Sequence, residues 1–174
     1  MPLTLEQKQT VVSQVAQVAS QAHSVIAAEY QGLTVGQMTQ LRVQARESNV
    51  HLRVVKNTLA RRAFEGTDYD CMSNALQGQM VYAFSMEEPG SAARVLKAFA
   101  DTNSKLVVKL IALGGELLDP SDIKRLASMP TYDQAISLLM AVMKAPVEKL
   151  VRTMNEVPGK LTRTVAAIRD QKQA

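Results

Sequence analysis

The hydrophobic pattern of this 174-residue chain changes once, near residue 130, and the change predicts two structural parts. Before that point, stretches with helical spacing of apolar residues alternate with short runs rich in β-branched residues, as strands are. After it, apolar residues recur only at the three- and four-residue steps of a helix. Strands separated by helices indicate a layered α/β fold. We therefore expect a compact mixed α/β domain over residues 1–130, with helices alternating with short strands, and an extended C-terminal helical segment over residues 131–174.

The expected elements of the N-terminal part follow from this alternation and from residues that begin helices. Thr4, Thr34 and Asn57 each precede a helical stretch, and their side chains can accept a hydrogen bond from a helix amide, so we expect them to be N-caps. Only seven residues are aromatic, so the core is expected to be aliphatic. Strands are expected at Ser24–Tyr30, Val50–Val55, Met80–Phe84 and Val107–Leu113. Helices are expected after the three caps, around Cys71–Leu76, from Pro89 to about Thr102, and from Asp119 to about Met129.

The cysteine count and the lack of long apolar runs exclude a secreted disulfide scaffold, a classical zinc finger and a membrane protein. A single cysteine, Cys71, allows no internal disulfide, which fits a reducing compartment. The start has no signal-peptide pattern and no apolar run could cross a bilayer, so we expect no membrane contact. The sequence lacks Walker, dinucleotide-binding and metalloprotease motifs, and His23 and His51 are isolated. We therefore expect no catalytic residues, no cofactor and no metal site.

A strongly basic segment spans residues 42–62. It holds six bases and one acid, a local charge of +5 in a chain whose net charge is +4. The amides that follow Asn57 are expected to bind a phosphate at a helix N-terminus, with Lys56 and Arg53 beside it. Arg61 and Arg62 are expected to meet adjoining phosphates, because guanidinium groups form paired hydrogen bonds with phosphate oxygens. Few aromatics accompany the segment, so recognition of RNA backbone shape is expected rather than base stacking. The alternative is an ordinary solvated basic face. The bases are Arg42, Arg46, Arg53, Lys56, Arg61 and Arg62.

The C-terminal part carries an apolar stripe along one side of its expected helix. Basic residues border the stripe, and the sequence of residues 149–153 is echoed 11 residues later, about three helical turns on. Pro146 and Pro158 are each expected to start a new helical segment or to kink the helix. An apolar stripe bordered by charge is typical of a site for a protein partner. The alternative is that the stripe packs onto the α/β domain. The residues expected to bind a partner are Ile136, Leu139, Met140, Met143, Val147, Leu150, Val151, Met154, Leu161, Val165 and Ile168.

Five stretches, spread over nearly the whole chain, carry a family resemblance: LTLEQKQTVV, GLTVGQMTQLR, RVVKNTLARRAFEGT, SMPTYDQAISLLMAVMKAPVEKLVRT and TVAAIRDQK. Together they resemble the bacterial stalk-base family of the large ribosomal subunit, its protein ten. The most specific stretch is RVVKNTLARRA, which begins at Arg53. The resemblance implies the same two-part architecture, an α/β domain followed by a C-terminal helix.

The resemblance also implies a function for each part. The α/β domain would bind large-subunit ribosomal RNA at the GTPase-associated region, beside the neighbouring stalk-base ribosomal protein. The C-terminal helix would carry several dimers of the acidic stalk protein, which recruit GTP-bound translation factors. Members of the family are cytoplasmic, within the ribosome, and also repress translation of their own message. The RNA-binding residues that the resemblance implies are Arg53, Lys56, Asn57, Thr58, Arg61, Arg62, Gly32, Leu33 and Thr34.

Two positions depart from the family's pattern. Gln31 stands where an arginine often precedes the Gly-Leu-Thr turn, which removes one phosphate contact. Gln79 and Met80 stand where the family often has Pro-Thr, so the loop that begins at Gly78 is given no role.

Two other functions are weighed against a ribosomal one. The first is a free RNA-binding translational regulator that self-associates through its C-terminal helix. The second is an enzyme, for which no motif speaks and which would require an unexpected cleft with titratable groups of shifted pKa.

Overall fold

The computed structural model describes residues 4–173 and confirms the expected architecture, a mixed α/β domain followed by a long C-terminal helix. By contact, the chain divides between Met129 and Pro130. The helices are α1 (Leu5–Gln21), α2 (Val35–Glu47), α3 (Asn57–Phe64), α4 (Ser91–Thr102), α5 (Ile123–Ala127) and α6 (Tyr132–Gln173). The strands are β1 (Ser24–Glu29), β2 (Val50–Val54), β3 (Met80–Ser85), β4 (Val107–Leu113) and β5 (Glu116–Leu118), and 3₁₀ turns lie at Asp70–Ala75 and Pro120–Asp122.

The five strands form one antiparallel sheet in the order β2-β3-β1-β4-β5. Since β1 and β2 both pair antiparallel with β3, they run parallel to each other and finish at the same end of the sheet. Sequence periodicity does not predict β5, because its three residues are too few to show alternation. The turn that leads into it lies at Gly114 and Gly115, whose φ angles of 56° and 87° favour glycine.

Helices cover both faces of the sheet, so the domain has two apolar cores. Helices α1 and α3 cover the first core, and α2, α4 and α5 cover the second. Successive residues of β1 alternate between them: Val25 and Ala27 face the first core, and Ile26 and Ala28 face the second. Because both of its faces are buried, this strand is a continuous apolar run in the sequence.

The composition led us to expect an aliphatic core, and this expectation is wrong for the first core, which contains several aromatic residues. Phe64 lies at the centre of an aromatic group, with its ring centroid 5.8 Å from that of Tyr82. The rings of Phe84 and Tyr69 lie 6.4 Å and 6.5 Å from it. Pairs at these separations and inclined angles are favourable, and four of the seven aromatic residues of the chain belong to this group.

Thr4 and Thr34 are N-caps, as expected. Each hydroxyl accepts a hydrogen bond from the amide three residues on, and the backbone amide of the cap donates one to Oε1 of the glutamine at that position, Gln7 or Gln37. Both helices therefore begin with a complete capping box, which satisfies two otherwise unpaired amides at each start.

Helix α6 runs without interruption through Pro146 and Pro158. Neither proline starts a new helical segment, so that expectation is wrong, and a kink at either proline stays a prediction. A proline removes a single backbone hydrogen bond, and the turns on either side keep theirs. The 42 residues of α6 span about 63 Å at 1.5 Å per residue. None of the helices in the described part of the chain is both long enough and apolar enough to cross a membrane.

Candidate functional site

The strand order brings two separate sequence motifs to the same end of the sheet. The turn 32–34 follows β1 and the segment 56–58 follows β2, and both strands finish there. The loop 78–80 reaches the same end because it precedes β3, which runs in the opposite direction. A cavity of about 370 Å³ opens at this end, lined by Tyr30, Val54, Val55, Lys56, Asn57, Thr58, Gly78, Gln79 and Met80.

Each residue of the turn after β1 has a structural reason to be there. Gly32 has a φ of +87°, a left-handed conformation that other residues rarely adopt. The amide of Leu33 donates to the carbonyl oxygen of Tyr30 (3.2 Å), and its side chain packs against the second core. The hydroxyl of Thr34 is engaged in capping α2. These contacts fix the turn at the end of the sheet, and direct RNA contact by its three residues stays a prediction.

Asn57 does not cap α3, and the expectation that it does is wrong. Lys56 occupies the N-cap position and Asn57 is the first helical residue. Its Nδ2 donates to the carbonyl oxygen of Gly78 (2.9 Å), and the hydroxyl of Tyr82 donates to its Oδ1 (3.1 Å). Burial raises the pKa of Tyr82 to about 12, so this hydroxyl keeps its proton and remains a donor. Asn57 thus joins α3 to β3 and to the loop before it.

The start of α3 presents positive groups to solvent. The first amides of a helix have no carbonyl partner within it, and the aligned peptide dipoles add partial positive charge there. Lys56 and Thr58 are exposed beside these amides, and Arg62 lies four residues beyond Thr58 on the same side of the helix. Neither Lys56 nor Arg62 forms a salt bridge within residues 4–173. This surface is suited to bind anionic groups such as phosphates.

Arg53 and Arg61 are held by hydrogen bonds within the domain. Nη2 of Arg61 donates to the carbonyl oxygen of Leu76 (2.9 Å), and Nη2 of Arg53 donates to Oε1 of Gln14 (2.7 Å). Arg53 lines a second cavity, along β2, and not the one at the end of the sheet. The four predicted bases are therefore not gathered at one point.

Lys105 is a basic residue of this end of the sheet that sequence reasoning missed. It lies just before β4, and its Cδ is 3.5 Å from where a Cβ on Gly32 would be. Tyr30 was missed as well, and Gln79 lies in the loop that was given no role, although both line the cavity. No local sequence signal marks these residues, because only the pairing of β1 with β3 and β4 brings them together.

Two other candidate groups, Cys71 and His51, have pKa values shifted by burial. Burial raises the pKa of the Cys71 thiol, and the Asp70 carboxylate adds to the effect, so the reactive thiolate is disfavoured. Burial also lowers the pKa of His51, with a further contribution from Arg53. In the part of the chain that the structure describes, no three His, Cys, Asp or Glu side chains are grouped to hold a metal ion.

The apolar residues predicted to bind a partner are all exposed on α6. Their exposed fractions range from 38% for Ile136 to 71% for Met143 and Met154. Steps of three and four residues place them along one side of a continuous helix. Leu138 and Val142, on the opposite side, are exposed too and were not predicted. The first turns of α6 therefore have apolar side chains on two sides.

Comparisons with known proteins agree over the whole chain. The family model described as Ribosomal protein L10 matches residues 3–101, and that described as Ribosomal protein uL10 C-terminal region matches residues 129–157. The chain is 67% identical over 174 residues to the large ribosomal subunit protein uL10 of Thioalkalivibrio sulfidiphilus, with 100% of this chain and 99% of that protein covered. It is 61% identical to the uL10 protein of Methylococcus capsulatus and 59% identical to that of a Psychrobacter species, over the same shares of each chain.

Proposed function

Because this chain belongs to the ribosomal protein L10 family, and so is a non-enzymatic component of the large ribosomal subunit, we propose that it forms the base of the ribosomal stalk. Its α/β domain binds large-subunit ribosomal RNA, and α6 binds dimers of the acidic stalk protein. Through those dimers it acts indirectly on translation factors. As a ribosomal component it works in translation, in the cytoplasm.

The observation that carries the RNA half is the meeting of two motifs at one end of the sheet. The turn 32–34 and the segment 56–58 are separate in sequence, yet β1 and β2 deliver both to the same place. Lys56, the first amides of α3 and Arg62 offer positive groups over adjacent positions, which suits successive phosphates of a folded RNA. Tyr30 is the one aromatic residue that lines the cavity, so backbone shape is the feature recognised, and not a series of stacked bases.

The RNA half is tested by removing two positive charges from this surface. The variant Lys56→Gln/Arg62→Gln should bind a large-subunit rRNA fragment containing the GTPase-associated region about tenfold more weakly. The plot of log K against log salt has a negative slope, and each lost phosphate contact reduces its magnitude by about 0.7–0.9. The magnitude should therefore decrease by about 1.4–1.8 for the two contacts. Fluorescence anisotropy titrations of the full chain over a salt series measure both quantities.

The matched control removes two charges elsewhere in the same domain. Lys124 and Arg125 are exposed on α5, and Arg125 is paired with Asp122 at 3.2 Å. The variant Lys124→Gln/Arg125→Gln should keep the affinity and salt slope of the unchanged protein. Equal losses in both variants would mean that the RNA responds only to net charge, and the proposed surface would be wrong.

The stalk half is supported by the exposed stripe on α6. Its apolar side chains can be buried by a protein partner, and its methionines adapt to different surfaces. From residue 131 onward the sequence holds seven bases and four acids, so an acidic partner is favoured by charge. Complementary charge chiefly speeds encounter, whereas burial of the stripe supplies affinity.

A second function is supported by the same stripe. Two copies of an exposed apolar stripe on a long helix can pair with each other, as in a coiled coil. The chain would then be a free RNA-binding regulator that self-associates. Repression of the protein's own message fits either function, since a message that presents the same backbone shape would occupy the same RNA-binding surface.

A further inference from the structure

The free edge of the sheet carries a second basic surface, next to the end described above. Strand β2 is an edge strand, paired on one side only, with β3. Arg42 and Arg46 lie one helical turn apart on the same side of α2, and both are exposed. They border a cavity of about 370 Å³ that runs along the strand, together with Val50, His51, Leu52, Arg53 and Val54.

The charge of this cavity is uncompensated. Three of its lining residues are arginines and none is an acid. The arginines Arg42, Arg46 and Arg53 are in no salt bridge within residues 4–173, whereas Arg94 and Arg125, elsewhere in the domain, are paired with carboxylates. Like charges gathered without a counter-ion raise the local potential, and a bound anion relieves their repulsion.

The lining also indicates which anion fits. A guanidinium group matches the geometry of phosphate oxygens through two parallel hydrogen bonds. An edge strand adds backbone amides that no neighbouring strand occupies. The lining contains no Phe, Tyr or Trp, and His51 supplies its one aromatic ring, so it offers no series of stacking surfaces for successive bases. The cavity shares Val54 with the cavity at the end of the sheet, so the two surfaces adjoin.

We propose that the groove along β2 binds backbone phosphates of the same RNA, with Arg42 and Arg46 as the contacting residues and Arg53 between the two surfaces. This inference rests on the proposed RNA-binding function and extends it around the edge of the sheet. The RNA then lies along β2 from the second half of α2 to the start of α3. Arg42 and Arg46 belong to the basic segment 42–62, but neither is among the RNA-binding residues that the family resemblance implies.

The test uses the full chain and the same large-subunit rRNA fragment. The variant Arg42→Gln/Arg46→Gln should bind the RNA about tenfold more weakly, with a salt slope lower by about 1.4–1.8, as expected for two lost phosphate contacts. The charge-matched control Lys124→Gln/Arg125→Gln should leave both unchanged. This inference would be overturned if Arg42→Gln/Arg46→Gln kept the affinity and salt slope of the unchanged protein while Lys56→Gln/Arg62→Gln lost affinity. The proposed function would then still hold. If the unchanged protein does not bind the RNA, both fail.

Two further measurements test whether RNA contacts these two arginines directly and whether an acidic polypeptide binds there instead. Arginine-specific modification of the unchanged protein with phenylglyoxal, read by mass spectrometry, should show that RNA protects Arg42 and Arg46, which holds even if the double variant does not fold. Unprotected arginines in a saturated complex would overturn the inference.

Poly-glutamate of matched charge probes the rival class of anionic partner, an acidic polypeptide. It should compete weakly, and competition as strong as that of RNA, lost in Arg42→Gln/Arg46→Gln, would also overturn it.

Discussion

The side chain of Asn57 connects the proposed RNA-binding end of the sheet to the interior of the domain. It donates to the carbonyl oxygen of Gly78 and accepts from the hydroxyl of Tyr82, which is only 1% exposed. A buried hydroxyl without a partner costs about 1–3 kcal/mol, so this contact has a stabilising role. Because Lys56 immediately precedes Asn57, the same contact fixes the place from which the lysine reaches solvent.

Replacing Asn57 should therefore destabilise the fold in a way that depends on Tyr82. Asn57→Ala should lower the free energy of unfolding by about 1–3 kcal/mol, because it leaves the tyrosine hydroxyl buried without an acceptor. In a Tyr82→Phe background the same replacement should cost less, since there is no hydroxyl to strand. Urea unfolding followed by circular dichroism measures all four proteins of this double-mutant cycle.

The cycle also separates the tyrosine contact from the other contact of Asn57. Loss of the bond to Gly78 is common to both backgrounds and cancels in the comparison. Equal costs of Asn57→Ala with Tyr82 and with Phe at position 82 would show that the hydroxyl bond contributes nothing to stability.

At the scale of elements, α6 is a continuous helix with two built-in weak points. Pro146 and Pro158 have no amide hydrogen, so the carbonyl groups of Val142 and Met154, four residues earlier, lose their usual helical donors. The apolar stripe runs past both points. The helix can therefore bend locally where a partner requires it without ending.

Removing the prolines should make α6 more helical. Pro146→Ala/Pro158→Ala should increase the helical signal at 222 nm and delay its loss on heating, because proline in a helix interior costs about 3 kcal/mol relative to alanine. Gly159→Ala is a graded comparison, since glycine costs only about 1 kcal/mol there and its φ is not in the left-handed region. A larger effect from Gly159→Ala than from the two proline replacements would contradict this view of the helix.

The elements that could be predicted from sequence are those with strong local signals. The N-caps of α1 and α2, Thr4 and Thr34, could be predicted because each capping box lies within four residues of chain. The expected N-cap at Asn57 fails for the opposite reason: the partners that draw its side chain away, Gly78 and Tyr82, are more than twenty residues distant in sequence. Strand β5 was missed because its pairing with β4, and not its own pattern, makes it a strand.

The same division between local and distant signals applies to the candidate site. The basic segment and the turn 32–34 were found because each is contiguous in sequence. Their meeting at one end of the sheet could not be predicted, since it depends on a strand order in which β3 lies between β1 and β2. Lys105 and the pairing of α2 arginines with the β2 groove depend on tertiary structure in the same way.

For the whole molecule, the two proposed activities lie on separate units of the chain. The basic surfaces belong to the α/β domain, and the exposed stripe belongs to α6, beyond the division at Met129. One surface works by charge and responds to salt, whereas the other works by burial of apolar side chains and responds to their removal. Substitutions in one unit are therefore expected to abolish its own activity and to leave the activity of the other unit unchanged.

Substitutions in the stripe of the full chain test this separation. Leu150→Asp/Met154→Asp should weaken capture of acidic stalk-protein dimers at least about a hundredfold, because each buried side chain of this size contributes about 1.5–3 kcal/mol. The same variant should bind the rRNA fragment with unchanged affinity and salt slope, whereas Lys56→Gln/Arg62→Gln should do the reverse. Isothermal titration with purified dimers and anisotropy with RNA give the two readouts.

The control must introduce the same charges off the stripe. Thr153 and Asn155 lie on the flanks of the same turns, so Thr153→Asp/Asn155→Asp repels an acidic partner equally but leaves the stripe intact. Its affinity for the dimers should fall much less than that of Leu150→Asp/Met154→Asp, since burial and not charge supplies most of the binding free energy.

Light scattering of the unchanged protein alone should give a monomer. A homodimer that Leu150→Asp/Met154→Asp dissociates, together with no binding of acidic dimers, would replace the stalk function by the self-associating regulator.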